Sequence, residues 1–169
     1  MTIRLARSSE LSTIGEIERA AGALFAEINM EPVAFDEPMT IQELGPFLAN
    51  GRLWVAVDQD DQPIGYACAA EIDGASHLEQ VSVHPDHGRS GIGAALINTV
   101  INDARTSGSS AVTLTTFIDV PWNGPYYRRL GFEYLPTVRE TPGLRAIRAA
   151  EADHGLDRWP RACMRLELD

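Results

Sequence analysis

The chain has 169 residues with 14 basic and 24 acidic side chains, a formal net charge of −10. All the basic residues are arginines, so a phosphate-binding P-loop and any Schiff-base or pyridoxal-phosphate chemistry, which need a lysine, are excluded. The acidity argues against nucleic acid or an anionic membrane as partner, while 44% hydrophobic and 22% charged residues are ordinary for a globular chain.

The length fits one domain spanning 1–169, with a core that needs no staples. Cys68 and Cys163, each in an apolar run, are expected as buried free thiols. No apolar run reaches the roughly 20 residues of a membrane span, and Met1–Leu5 lacks a signal core, so a cytoplasmic location is expected.

Thr2 to Ala6 alternates as a first strand. Ser8 or Ser9 then caps one amphipathic helix carried by Leu11, Ile14, Ile17, Ala21, Leu24 and Ile28. Asn29 to Met39, with two prolines and three acids, reads as a loop. The capping-box pattern Thr40-Ile41-Gln42-Glu43 opens a short helix that ends near Asn50-Gly51. Leu53–Val57, Ile64–Ile72 and His77–Val83 are three antiparallel strands, separated by the turns at 58–63 and Asp73-Gly74.

After a break at His84–Gly88, a helix runs from Gly91 to about Thr106. Ala111–Phe117 is a strand, Asn123–Leu130 a short helix and Phe132–Leu135 a strand. Thr141-Pro142 opens a helix through Asp153, stopped by Gly155, and Arg161–Leu168 is the last strand. The order gives an α/β (α+β) fold with a mixed, mostly antiparallel sheet of about seven strands.

The stretch Glu79–Leu96 carries the chemistry. A strand runs into a glycine-rich turn and a helix start, where unpaired amides and the positive end of the helix dipole favour an anion. Gly88, Gly91 and Gly93 allow close approach of the backbone, and Arg89 adds a fixed charge, so the stretch reads as a pyrophosphate site. The plainer reading is a tight strand-to-helix turn that needs glycine for its geometry. Other readings are weaker. His84 and His87, with His77 nearby, have an H-x-x-H spacing, but a zinc site needs a further ligand, so no metal is expected. Ile92 stands where a G-x-S-x-G nucleophile elbow needs glycine.

Val81-x-Val83-x-Pro85, a short loop, and Gly91-x-Gly93 opening a helix resemble motif A of the GNAT superfamily of acyl-coenzyme A-dependent N-acetyltransferases. Tyr127-Arg128-Arg129-Leu130-Gly131-Phe132 resembles a second signature of that family. The resemblance covers nearly the whole chain in element order. It departs at Gly88, where the family carries a Gln or Arg, with Arg89 displaced by one position.

The resemblance implies a sheet splayed between its fourth and fifth strands and acetyl-coenzyme A as cosubstrate. Val81, Ser82, Val83, Gly88, Arg89, Ser90, Gly91, Ile92, Gly93, Ala94 and Asn123 would bind it. Glu79 falls at the family's base position and otherwise reads as an exposed strand carboxylate. The backbone N–H of Val81 or a neighbour would hold the thioester oxygen. Tyr127 aligns with the acid that protonates the leaving thiolate, with Tyr126 the alternative. The acceptor implied is a primary amine of a small molecule or a peptide. Glu27, Glu31, Asp36 and Glu37 would favour a cationic one, unless they are only a solvated face, and Trp122 and 25–27 would wall its pocket. Family habit also implies a homodimer on the last helix and strand. The alternative function is a coenzyme A-binding sensor that keeps the fold without turnover.

Overall fold

Local chemistry fixes the elements of the computed structural model, which describes residues 1–169. β1 (Thr2–Leu5) leads through a 3-10 turn, Ser8–Glu10, into α1 (Leu11–Gly22). After a 3-10 stretch, Ala23–Ile28, come α2 (Glu31–Ala34) and α3 (Ile41–Ala49). The strands β2 (Leu53–Val57), β3 (Pro63–Ile72) and β4 (Ala75–Val83) follow, then α4 (Ile92–Thr106) and β5 (Ala111–Phe117). α5 (Gly124–Arg129), β6 (Glu133–Leu135), α6 (Pro142–Asp153) and β7 (Arg161–Glu167) complete the chain.

The strands form a seven-stranded sheet in the order β1-β2-β3-β4-β5-β7-β6. Its β4–β5 pair is parallel, whereas β1–β2, β2–β3, β5–β7 and β6–β7 are antiparallel. The parallel ladder is short. It pairs Ser76 with Val112 and His77 with Thr113, and β4 runs on past its end to Val83. That is the expected parting of the fourth and fifth strands.

The chain divides into two compact units. The first comprises Met1–Ala69 and Gln80–Val100, the second Ala70–Glu79 and Ile101–Asp169. The core of the first sets Leu11, Ile14, Ile17 and Leu44 against Leu53, Val55, Val57, Tyr66 and Cys68. Each such large apolar side chain contributes roughly 1.5–3 kcal/mol by leaving water. In the second unit Leu144 and Ile147 of α6 pack on Leu135 and Cys163. Both cysteines are free and buried.

Several boundaries differ from expectation. Residues 8–10 form a 3-10 turn with no serine side-chain cap. Instead Glu10 reaches back to accept the Arg7 amide at 2.8 Å. The first helix keeps α geometry only to Gly22, because Leu24 and Ile28 are partly exposed and lie off the buried stripe. Asn29, with φ of 61°, then ends the 3-10 stretch in the left-handed region that asparagine tolerates. The expected loop at 29–39 contains α2, whose proline stands in the first turn, where no amide donor is needed. β4 begins at Ala75 because Asp73 and Gly74 (φ 52° and 80°) make a two-residue hairpin turn. Thr40 and Glu43 form the expected reciprocal cap, and Thr141 caps α6 by accepting the Leu144 amide.

Candidate active site

The first unit supplies the end of β4, the turn and the start of α4. Val81 and Val83 are half-buried, and Ser82 is buried, its hydroxyl accepting from Gln80 Nε2 at 3.0 Å. The strand ends as the His84 amide donates to the Ile64 carbonyl at 2.9 Å. Pro85–His87 then make one 3-10 turn. The His84 ring accepts the Asp86 amide at 3.2 Å and the Gly88 amide donates to Pro85 at 3.1 Å. Gly88 therefore gives the turn its exit, while its own N–H is occupied within the turn.

Beyond it the backbone turns sharply twice. Arg89 has a φ of 60° and Gly91 of 81°, both left-handed, and Ser90 Oγ donates to the His87 carbonyl at 2.5 Å. For Arg89 that conformation is uncommon and costs energy, which marks a turn held by its surroundings. The helical ladder of α4 opens with the Ala95 amide donating to the Gly91 carbonyl at 3.0 Å. The amides of Ile92, Gly93 and Ala94 precede it and point out of the helix end, with Gly88–Gly91 exposed in front of them. The sequence-predicted loop residues thus converge on one exposed, amide-rich turn, suited to the oxygens of a phosphate.

The second unit supplies Glu79 and the tyrosines. Glu79 is 41% exposed, and its Oε2 lies 3.9 Å from His77 Nε2. Burial by the surrounding protein raises the Glu79 carboxyl above its usual range, and the charge of Glu151 adds to the effect. His77 is nearly fully buried, its Nδ1 2.9 Å from the Thr113 hydroxyl, and burial pushes it down to about 4. The imidazole beside Glu79 is therefore neutral at ordinary pH, and the pair is polar rather than ionic.

α5 starts at a built junction. The Thr116 hydroxyl donates to Asn123 Oδ1 at 3.1 Å, and the Asn123 carbonyl accepts the Tyr127 amide at 3.0 Å. Gly124 is buried there, and a Cβ on it would collide with the Tyr134 hydroxyl and stand 3.1 Å from the Phe117 carbonyl. The Tyr127 ring packs edge-on against Tyr126 and Phe132 at 5.8 and 5.9 Å. Burial, with Tyr126 as a smaller cause, raises the Tyr127 phenol well above its ordinary range, so it keeps its proton at neutral pH. Burial raises Tyr126 too, opposed by Arg129, whose guanidinium lies over its ring at 5.7 Å.

Sequence reasoning missed Thr113, Thr116 and Glu151. The signal for the threonines was available: hydroxyls in the β5 sequence Ala-Val-Thr-Leu-Thr-Thr-Phe must find partners if buried, and Thr113 and Thr116 are each 2% exposed. Glu151 gave no local signal, because it reaches Thr115 from α6, 36 residues away in sequence.

Residues 19–132 match the model of the acetyltransferase (GNAT) family. Among solved structures, the PaiA N-acetyltransferase of Thermoplasma acidophilum, in complex with coenzyme A, is 16% identical with a TM-score of 0.72, covering 99% of this chain and 98% of that one. The ribosomal-protein-alanine N-acetyltransferase of Brucella melitensis is 20% identical with a TM-score of 0.70, covering 99% and 100%. Rv2747 of Mycobacterium tuberculosis, also in complex with CoA, is 18% identical with a TM-score of 0.70, covering 100% of both chains. At these identities the structures establish the likeness of fold, and the family model, which spans most of the chain, establishes the kinship. The chain belongs to the acetyltransferase (GNAT) family.

Proposed function

We propose that the chain is an N-acetyltransferase that moves an acetyl group from acetyl-coenzyme A to a primary amine of a small molecule or peptide. The amine attacks directly in a ternary complex, and residues 1–169 act as one domain in the cytoplasm. The observation that carries the reading is the Gly88–Ala94 turn, with left-handed Arg89 and Gly91 ahead of the unladdered amides of α4. Solved relatives of the same fold in complex with coenzyme A support it.

In the proposed reaction the pyrophosphate is held by the amides of Arg89 through Ala94 and by the Arg89 guanidinium, with Val81, Ser82 and Val83 along the rest of the coenzyme. Asn123 also contributes to coenzyme binding. Glu79 takes a proton from the ammonium through water, because only the neutral amine has a lone pair for attack. A C–N bond forms at the thioester carbonyl, and the backbone amide of Val81 stabilises the oxyanion. The C–S bond then breaks, Tyr127 gives its phenolic proton to the departing sulfur, and the second proton lost from the nitrogen passes through water back to the phenolate. Tyr127 is preferred to Tyr126 because it aligns with the acid of the family signature; both phenols keep their proton at neutral pH. The acids Glu27, Glu31, Asp36 and Glu37 favour a cationic acceptor.

Thiol release from acetyl-coenzyme A, measured with a panel of primary amines, tests the reading. Coenzyme binding without acceptor-dependent thiol release would instead mean a coenzyme A-binding sensor.

A further inference from the structure

The second unit holds a cavity of about 280 Å³ to which acetyl transfer gives no role. Its charged walls are Glu140, Arg148, Asp157 and Arg161. The Arg161 side chain is only 7% exposed. Its Nε and Nη2 bond Glu151, and Nη2 also bonds the Thr115 hydroxyl, while its carbon lies 4.2 Å from the centre of the Phe117 ring. The structure gives its Nη1 no hydrogen bond. Arg148 places Nη1 on both Glu151 and Asp157, at 3.1 and 3.0 Å, and its Nε and Nη2 likewise have no partner.

Glu140 is the opposite pole. It is 9% exposed and no guanidinium bonds its carboxylate; its side-chain neighbour is the Cys163 thiol. Burial, and next the charge of Glu140, push that thiol up to about 12, so it stays an S–H donor. Leu135, Ala149 and Ala162 add apolar wall between the charged groups.

The Glu140 carboxylate meets no cation, and the guanidinium edges of Arg148 and Arg161 that lack a protein acceptor open to solvent at the cavity. One small molecule that carries both charges can bond both sets of groups in place of water, and the volume lies just below the usual range for small-ligand sites. We propose that this cavity binds a small zwitterion, a free amino acid, with its ammonium on Glu140 and its carboxylate on the open edges of Arg148 and Arg161. A ligand with one pole leaves either Glu140 or the open guanidinium edges bonded only to water, which is the source of specificity.

Calorimetric titration of the full chain without coenzyme tests this, using the free amino acids together with isobutylamine and isovalerate, the single-pole analogues of valine. Saturable one-to-one binding is expected for at least one amino acid, with any single-pole analogue of it at least ten-fold weaker. Glu140→Gln is expected to weaken binding ten-fold or more. Ala152→Phe, on the exposed rim of the cavity, is expected to abolish it, with circular dichroism confirming that both variants fold. No saturable binding of any amino acid to the wild type, binding unchanged by Ala152→Phe, or equally tight binding of the amine alone would overturn the proposal. The titration contains no thioester, so its failure is separate from any failure of acetyl transfer.

Discussion

His77 Nε2 stands 3.9 Å from the Glu79 carboxylate without forming an ion pair, because burial keeps the imidazole neutral. A protonated histidine there would hold Glu79 ionised and make it a poor base. With a neutral ring, burial and Glu151 act together to raise the carboxyl. A base must be ionised to act, so turnover is expected to fall as pH drops through this raised pKa. Glu151→Gln removes the repelling charge and is expected to move the acidic limb of kcat to lower pH. Glu79→Gln should cost about 10²–10⁴-fold in kcat and remove the limb. A pH profile of kcat for the three proteins checks both.

Replacing Tyr127 by Phe keeps the ring against Phe132 and Tyr126 but removes the phenolic proton that the proposed reaction gives to the thiolate. kcat is expected to fall about 10²-fold or more, with coenzyme affinity within about two-fold. Tyr126→Phe should leave kcat close to wild type. Single-turnover thiol release and coenzyme titration read the two quantities apart, and an unchanged turnover number for Tyr127→Phe would retire its role.

Thr116 and Asn123 tie the start of α5 to β5 through one partly buried hydrogen bond. Thr116→Val keeps the shape but leaves the Asn123 oxygen without its donor, a loss of about 1–3 kcal/mol. A denaturant melt checks the cost. Thr116→Ser restores the hydroxyl and is expected to recover most of it.

Gly91 occupies a left-handed φ of 81°, where a side chain costs about 1–2 kcal/mol. Gly91→Ala is expected to weaken coenzyme A binding by about ten-fold, because the strain falls on the turn that presents the amides. The space around Gly91 is open, so the thermal midpoint should change by only a few degrees. Coenzyme titration and a thermal melt of the variant check the two effects.

Glu10 accepts from Arg4 and from the Arg7 amide, which hold its carboxyl below the usual range, the Arg4 hydrogen bond being the main cause. A lowered folded pKa means that the stabilisation is complete above the unfolded value near 4.5 and is lost as pH falls through the folded value. Glu10→Gln is expected to cost about 1 kcal/mol at pH 7, allowing for solvent screening of the pair, and almost nothing at pH 2. Urea melts at the two pH values measure the difference.

How legible the molecule was varies by kind of interaction. The strand pattern, the Thr40 and Thr141 caps and the Gly88–Ala94 turn are short-range chemistry, in which residue type and spacing dictate geometry. The 3-10 stretch at 23–28 was hidden, because Leu24 and Ile28 continue the helical spacing even though the core does not receive them. The raised carboxyl of Glu79 was hidden for a different reason. It depends first on burial by the surrounding protein and then on Glu151 arriving from α6, which only the tertiary fold creates.

The most direct measurement is thiol release from acetyl-coenzyme A by the wild type and by Tyr127→Phe across a panel of primary amines, with acetylated product identified by mass spectrometry. Acceptor-dependent release with stoichiometric N-acetyl product, strongly reduced in the variant while coenzyme still binds, is the predicted result. Coenzyme binding with no amine raising thiol release above the rate of hydrolysis would contradict it.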